Sequence, residues 1–457
     1  MKLTDSVTDT QQHLQSMMKD ESLPTIGILG LGYVGLTLST VLADIGFPVV
    51  GIDRDESLIS DLKQGKPHFH EKGLEQLLKA VAEQTHPPQY QVGLPAPCAD
   101  IYIITVGTPI ERPSLDPDLD HVRNATLEVA RVLRRGNLVV LRSTVPVGTT
   151  RNVVLPVLEQ TSGLKAGMDF DLAFCPERTI EGKALRELRE LPQIIGGLNA
   201  QSAELAQALF GQVTSTIIDL GSLEASEMLK IMDNTYRDMM FAYANQMALV
   251  CHAVGLDMAP IVRAANQGYN RNNIPVPSPG VGGACLSKDP YILSSVCRQV
   301  GIDPILFIKG RSVNEFMPVH VVDRVYEALT SIGNGVSGGT VFVLGFAFKG
   351  RPETSDMRDS PTLDVVRELH RRGAKVLGHD PLVLDEDIES LNVEVTNLNN
   401  GFAKADAVIV MIDHPIYANL DITVLTQAKR PIVLMDGWNL YRSQSSDFSS
   451  NVIYMSI

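Results

Sequence analysis

Three glycines in four residues, Gly280, Gly282 and Gly283, precede Cys285, and Lys288 and Asp289 follow it within four residues. Glycines let a backbone pass close to a bound ligand. A thiol with a cation three residues on is in a setting that favours the thiolate. Cys285 therefore reads as a candidate nucleophile for covalent catalysis. The plainer reading is a small buried hydrophobe in a glycine-rich turn. The flanking sequence decides between the two.

Ahead of it lies a dinucleotide pattern. Thr25 to Gly30 is a short apolar run with strand character, and Gly30, Gly32 and Gly35 form G-x-G-x-x-G around Tyr33 and Val34. A helix is expected from Leu36 to Ile45, ending at Gly46. A strand from Pro48 to Ile52 then delivers Asp53. Such glycines admit a pyrophosphate to a helix N-terminus, and the acid hydrogen-bonds a ribose 2′-hydroxyl. The expected cofactor is NAD; Arg54, beside the acid, is the feature that pulls towards NADP. Ala99 to Val106 is a buried strand opening into Gly107, Thr108 and Pro109, so Val106, Thr108 and Pro109 are expected along the cofactor. Strands from Asn137 to Ser143 and from Asp171 to Cys175 end in Thr144 and in Glu177 and Arg178. His68, His70 and Glu71 could suggest a metal, but are read as a surface turn; no metal site is expected.

The middle is helical. Ser222 to Val254 has few breakers, and Glu224, Glu227, Lys230 and Asn234 share one face at 3–4 residue spacing. Ile231 and Met232 beside them point to a face at least partly covered. A second helix follows Asp257, then the loop Tyr269 to Asn273, and another long helix from Ile305 to Thr330. The last third repeats the first without its glycines. Strands are expected at Gly339 to Phe346, Ala374 to His379, Ala405 to Ile412 and Pro431 to Met435. A helix from Pro361 to His370 follows a loop carrying Lys349, Arg351, Asp356 and Arg358. A nucleotide held by charge suits that loop.

At 457 residues the chain exceeds one core, so two or three domains are expected. Its 44% hydrophobic and 20% charged content is that of an ordinary globular protein. A net charge of −14 argues against a nucleic-acid partner. Cysteines 98, 175, 251, 285 and 297 lack paired spacing and read as reduced cytoplasmic thiols. No apolar run approaches the roughly 18–20 residues of a membrane span. Residues 1–23 read as a polar tail with no signal-peptide core.

The local strings carry a resemblance. GILGLGYVGL (27–36), VGTP (106–109), STVPVGT (143–149), CPER (175–178), KIMDN (230–234), GVGGACLSKDP (280–290), VNEFMPVHVV (313–322) and GFAFKG with DMRDSP (345–361) occur in this order. Together they resemble the UDP-glucose/GDP-mannose dehydrogenase family, the nucleotide-sugar 6-dehydrogenases. The resemblance implies an α/β fold of two Rossmann-like, doubly wound parallel-sheet domains joined by a central helical dimerisation domain. The expected boundaries are 24–215, 216–328 and 329–457.

The activity implied is a four-electron oxidation of a sugar C6 alcohol to a carboxylate with two NAD⁺, as precursor supply for polysaccharide synthesis. Cys285 would form a thiohemiacetal and then a thioester. Lys230 and Asn234 would stabilise the charged oxygen and bind substrate, and Asp289 would flank the thiolate and the hydrolytic water. Glu177 would do acid/base work, and Thr144 would hold the nicotinamide or a catalytic water. Arg178, Gly282 and Lys349 match substrate contacts, and Arg358 matches an arginine reaching the NAD pyrophosphate. Arg271, in Arg271-Asn-Asn-Ile274, matches an arginine that enters the partner subunit's site in enzymes of N-acetylated sugars, which implies a homodimer. Pro176-Glu177-Arg178 and Arg271 favour a UDP-N-acetylhexosamine. Two features point to UDP-glucose, the alternative: Ala284 stands where the N-acetylhexosamine branch commonly has histidine, and Lys288 resembles the UDP-glucose enzymes. Trp438, where relatives often carry an arginine, cannot pair a phosphate. A simple 3-hydroxyacid dehydrogenase would need neither the cysteine nor the third domain, and a catalytically inactive sugar-nucleotide binder would have no use for Lys230, Cys285 and Asp289 together.

Overall fold

The computed structural model describes residues 23–457 except 94, 334–336, 423–424 and 426–429; the tail expected at 1–23 lies, but for Leu23, outside the described residues. Contacts divide the chain into two units, one of residues up to Asp233 with Tyr291–Asp303, the other of Asn234–Pro290 with Pro304–Ile457.

The first unit is built on eight strands: β1 (Ile26–Leu29), β2 (Val49–Asp53), β3 (Gln89–Val92), β4 (Ile101–Ile104), β5 (Leu138–Leu141), β6 (Asp171–Phe174), β7 (Gln193–Gly197) and β8 (Ile217–Asp219). Their order is β3-β2-β1-β4-β5-β6-β7-β8, parallel throughout except between β6 and β7. Strands β1, β4, β5 and β6 are buried along their whole length, as sheets covered by helices on both faces require. One face packs around Leu36, Val41 and Ile103, the other around Ile104, Val129 and Phe174. The helix after β1 begins at Tyr33, a turn earlier than the apolar spacing suggests.

The second unit holds β9 (Thr340–Leu344), β10 (Lys375–His379), β11 (Glu394–Val395), β12 (Ala407–Val410), β13 (Ile432–Asp436) and β14 (Val452–Ser456). They form one sheet in the order β11-β10-β9-β12-β13-β14, parallel throughout. In each sheet the strand order reverses beside its first strand, between β1 and β4 and between β9 and β12. Crevices at such reversals, at the carboxyl ends of the strands, are where α/β sheets bind ligands.

Helices Leu223–Ala253, Met258–Asn266, Asp289–Gln299 and Ile305–Ser331 make up the central helical region. Ile305–Ser331 stays helical through Pro318, which is buried. The fold is thus two Rossmann-like parallel sheets with a helical region between them in sequence. The edge strands β3, β8, β11 and β14 are not announced by the sequence, because they are short or half-exposed and lack a buried apolar run.

Candidate active site

The glycine turn of the first unit divides its work among three residues. Gly30 has φ +93°, a conformation a side chain resists, and its N–H donates to Ile52 O at 2.9 Å. A Cβ on Gly35 would stand 1.9 Å from Gly30 O, so only glycine lets the helix start against the turn. A Cβ on Gly32 would meet nothing within 4 Å: that glycine leaves open space where a pyrophosphate would approach. Thr105 Oγ1 donates to Leu29 O and Gly30 O at 3.0 and 2.6 Å and pins the turn. Asp53 ends β2; its carboxylate accepts from Leu31 N at 2.7 Å and Asp55 N at 3.1 Å. It thus braces the turn and keeps acceptor capacity for a ribose hydroxyl. Arg54 beside it is exposed.

Val106 packs against Gly30, and its carbonyl accepts from Ser143 Oγ at 2.6 Å. Thr108 is 3% exposed and its Oγ1 has no hydrogen-bond partner among the described residues. A buried hydroxyl left in this way fits a ligand group. Pro109 is exposed and Thr144 half-buried. These residues fit NAD: a helix N-terminus, an open glycine, a ribose acid and an orphaned hydroxyl. Val34 lies in the first turn of the helix. Tyr33 donates its hydroxyl to Glu71, and burial together with that carboxylate pushes the phenol pKa well up. Glu71 is buried and also accepts from Gly182 N and Ala184 N at 2.6 and 3.0 Å. It is a structural anchor, not part of the surface turn the sequence suggests.

Glu177 lies in a second group of the same unit. Its carboxylate is paired with Arg142 and accepts from Arg178 N at 2.6 Å and Thr179 N at 2.7 Å. Burial acts to raise its pKa, but the Arg142 charge and these hydrogen bonds outweigh burial and hold it below the usual range. Lys230, 7% exposed, donates its ammonium to the backbone carbonyl of Glu177. Arg178 pairs with Asp233 at 3.1 Å. Glu227, also buried, accepts from Gly148 N and Thr150 N at 2.5 and 2.7 Å, tying the loop after Thr144 to the helix. The helix face of Glu227 and Lys230 is covered, as expected.

The cysteine lies in the second unit. Cys285 is exposed and makes no disulfide. Its carbonyl accepts from Asp289 N at 2.9 Å, where helix Asp289–Gln299 begins. Asp289 is fully buried; its two oxygens accept from Lys288 Nζ at 2.8 Å and Asn234 Nδ2 at 2.5 Å. Asn234 Oδ1 in turn accepts from Arg237 at 2.6 Å. Burial works against the charge of Lys288, but Asp289 and Cys285 outweigh it and hold the ammonium pKa above its ordinary value. A lysine that stays cationic beside the thiol favours the thiolate.

The glycines before the cysteine serve the protein's own packing. A Cβ on Gly282 would stand 2.1 Å from Asp359 O, and one on Gly283 2.7 Å from Phe348. Ser287 Oγ donates to Asp359 Oδ2 at 2.8 Å. The loop is held from the other side by Arg311, 2% exposed, which donates to Val281 O at 2.6 Å and Leu286 O at 3.1 Å and pairs with Asp238 at 2.6 Å. Asn314 donates to Asp238 Oδ1 at 2.8 Å and accepts from Asn245, which accepts from Ser278 N. The sequence flags neither Arg311 nor Arg142. Arg142 is an arginine closing an apolar run, and that mismatch is the signal that could have found it; Arg311 stands among Lys309, Gly310 and Ser312 and carries no such signal.

Lys349 sits half-buried with its ammonium 5.3 Å from the Phe348 ring. Arg358 is exposed and pairs with Asp356 at 2.6 Å. Arg271 stacks over Tyr269 at 4.8 Å. Trp438 donates Nε1 to Met411 O at 2.8 Å.

The chain matches known proteins along most of its length. The UDP-glucose/GDP-mannose dehydrogenase family's NAD binding domain matches residues 24–214, its central domain 224–316 and its UDP binding domain 342–443. The chain is 34% identical to UDP-N-acetyl-D-mannosamine dehydrogenase of Pyrococcus horikoshii over 93% of this chain and 97% of that one. It is 33% identical to NDP-N-acetyl-D-galactosaminuronic acid dehydrogenase of Ralstonia solanacearum, over 87% and 92%. The solved structure of UDP-D-ManNAc dehydrogenase from Pyrococcus horikoshii superposes with TM-score 0.85 at 32% identity, over 95% of this chain and 99% of that one. No helix among the described residues is long and apolar enough to cross a membrane. The chain belongs to the UDP-glucose/GDP-mannose dehydrogenase family and is an NAD-dependent UDP-sugar dehydrogenase.

Proposed function

We propose that the protein oxidises C6 of a UDP-N-acetylhexosamine to the uronic acid by way of a covalent bond to Cys285. The observation that carries this reading is the exposed Cys285 beside Lys288, with Asp289 buried behind it. Bound NAD⁺ supplies hydride acceptance, once in each of two successive oxidations. The Cys285 thiolate attacks the C6 aldehyde left by the first, and the thiohemiacetal becomes a thioester in the second. Water then cleaves the C–S bond, releasing the carboxylic acid and returning the thiolate.

Lys230 and Asn234 are assigned the oxygen that carries charge at C6, which an ammonium and an amide N–H suit. Asp289 is assigned to the hydrolytic water and Thr144 to holding the nicotinamide or a water. Glu177, held anionic by Arg142, accepts a proton in hydrolysis. Arg178 and Gly282 are placed at the sugar, Lys349 at the nucleotide and Arg358 at the NAD pyrophosphate. The division at 24–215, 216–328 and 329–457 goes with these roles. We also place the enzyme in the cytoplasm, feeding polysaccharide synthesis.

A homodimer, with Arg271 entering the partner's site, is supported by helix Leu223–Ala253. Tyr236, Tyr243 and Val250 stand 63, 56 and 44% exposed at spacings that share one face.

The N-acetylhexosamine is supported by the N-acetylated sugars in the relatives' names and by Arg271. Ala284 and Lys288 support UDP-glucose as the second reading. Initial NADH rates on UDP-N-acetylmannosamine, UDP-N-acetylgalactosamine, UDP-N-acetylglucosamine and UDP-glucose decide between them. The highest kcat/KM is expected on an N-acetylated sugar; preference for UDP-glucose would overturn that assignment and leave the chemistry standing.

A further inference from the structure

The second unit contains a cavity of about 360 Å³ that none of the assigned cofactor or substrate residues lines. It lies between the end of helix Leu223–Ala253, the start of helix Met258–Asn266, the middle of helix Ile305–Ser331 and the chain beyond Tyr454. His252, His320, Arg324 and Arg442 face it, together with Asp257 and Tyr454.

Two guanidiniums and one carboxylate side chain stand in the wall. Arg442 pairs with Asp257, whose other oxygen caps the following helix by accepting from Ala259 N at 3.0 Å. Arg324 has no such partner: among the described residues its one hydrogen bond goes to the backbone carbonyl of Ser456. A guanidinium stays charged at any ordinary pH and carries five donors. Arg324 is half-buried, Glu327 is the acid whose charge acts on it, and among the described residues only one of its donors is bonded, an arrangement that is costly for a guanidinium. Its remaining donors fit the two oxygens of a carboxylate or phosphate.

The imidazoles complete the wall. His252 and His320 stack edge to face at 5.4 Å. His320 meets His252 from the neighbouring helix, and Arg324 and Asp323 on its own; His252 meets Arg324 and Glu327. Burial and the Arg324 charge push the His320 pKa down to about 4, and burial with Arg324 lowers that of His252. An anion in the cavity would reverse that balance and draw a proton onto an imidazole.

We propose that this cavity binds a small oxyanion, a carboxylate or phosphate group of an organic metabolite, on Arg324 with the two histidines. Its volume falls in the range of small-molecule sites, larger than a bare anion needs. Leu256, Met258 and Ile457 supply an apolar wall for the rest of the ligand.

The test is calorimetry on the whole enzyme saturated with UDP, so that its nucleotide site is closed to the probe. Inorganic phosphate and acetate are titrated separately at about pH 5.5, in two buffers of different ionisation enthalpy. At least one anion is expected to bind with proton uptake, and the tighter of the two identifies the ligand class. Arg324→Gln is expected to weaken binding about tenfold or more, Arg324→Lys to retain most of it, and His320→Gln to reduce the proton uptake. No binding of either anion, equal affinity in Arg324→Gln, or proton uptake unchanged in His320→Gln would overturn the proposal.

Discussion

The two sheets begin with the same turn and put it to different use. Gly30 and Gly345 follow the first strand of each with φ +93° and +96°. Each donates its N–H at 2.9 Å to a carbonyl at the end of the second strand, Ile52 or His379. The acid that follows, Asp53 or Asp380, then accepts the next N–H, from Leu31 or Phe346, at 2.7 Å. From there the two diverge. The open Gly32 of the first unit corresponds to the buried Ala347 of the second. A helix starts at once at Tyr33, whereas a loop runs on to the helix at Pro361. Asp380 accepts from four backbone N–H groups and is 9% exposed, while Asp53 accepts from two. One turn becomes a dinucleotide site by leaving space and an acceptor unfilled. The other fills both, and the loop that follows carries Lys349, the residue we assign to the nucleotide.

Filling corresponding glycines separates the two turns most strongly. Gly35→Val places a Cβ against Gly30 O and is expected to weaken NAD binding about hundredfold while sparing UDP. Gly350→Val, whose Cβ would stand 2.3 Å from His414 N, is expected to do the reverse. Fluorescence titrations with each ligand read both; either variant harming both ligands equally would end the distinction.

The acids come next. Asp380→Asn turns an amide NH₂ against backbone N–H donors, and is expected to cost about 2–3 kcal/mol in denaturant unfolding. Asp53→Asn is expected to raise KM for NAD⁺ about tenfold with less loss of stability. A smaller effect is expected on the acid side of the first unit. The folded pKa of Glu177 is lowered, so its stabilisation is present above the unfolded value of about 4.3 and is lost as pH falls through the folded one. Unfolding midpoints of Glu177→Gln should therefore fall less steeply below pH ~4 than those of the native chain.

Much of this was legible in the residues. Strands β1, β4, β5, β9 and β12 are buried apolar runs, and Gly30, Gly32 and Gly35 announce their turn. Two things were hidden. The last third reads as lacking the glycines of the first, yet it keeps Gly345 and Gly350; an alanine in the middle breaks the pattern without altering the turn. The glycines before Cys285 read as clearance for a ligand, and Gly282 and Gly283 also give room to Asp359 and Phe348. Spacing reports that a side chain is excluded, and it is silent on what excludes it. Arg311 and Arg142 were hidden for a related reason, since their partners lie 73 and 35 residues away.

In the mechanism proposed for this enzyme, one thiolate carries the sugar through two oxidations. NADH formed per UDP-sugar consumed, read beside the intact mass of enzyme quenched in turnover, tests it most directly. Two NADH per sugar, with a sugar-nucleotide adduct on Cys285 that is absent from Cys285→Ser, is the predicted result. One NADH per sugar, or full conversion to the acid by Cys285→Ser, would contradict it.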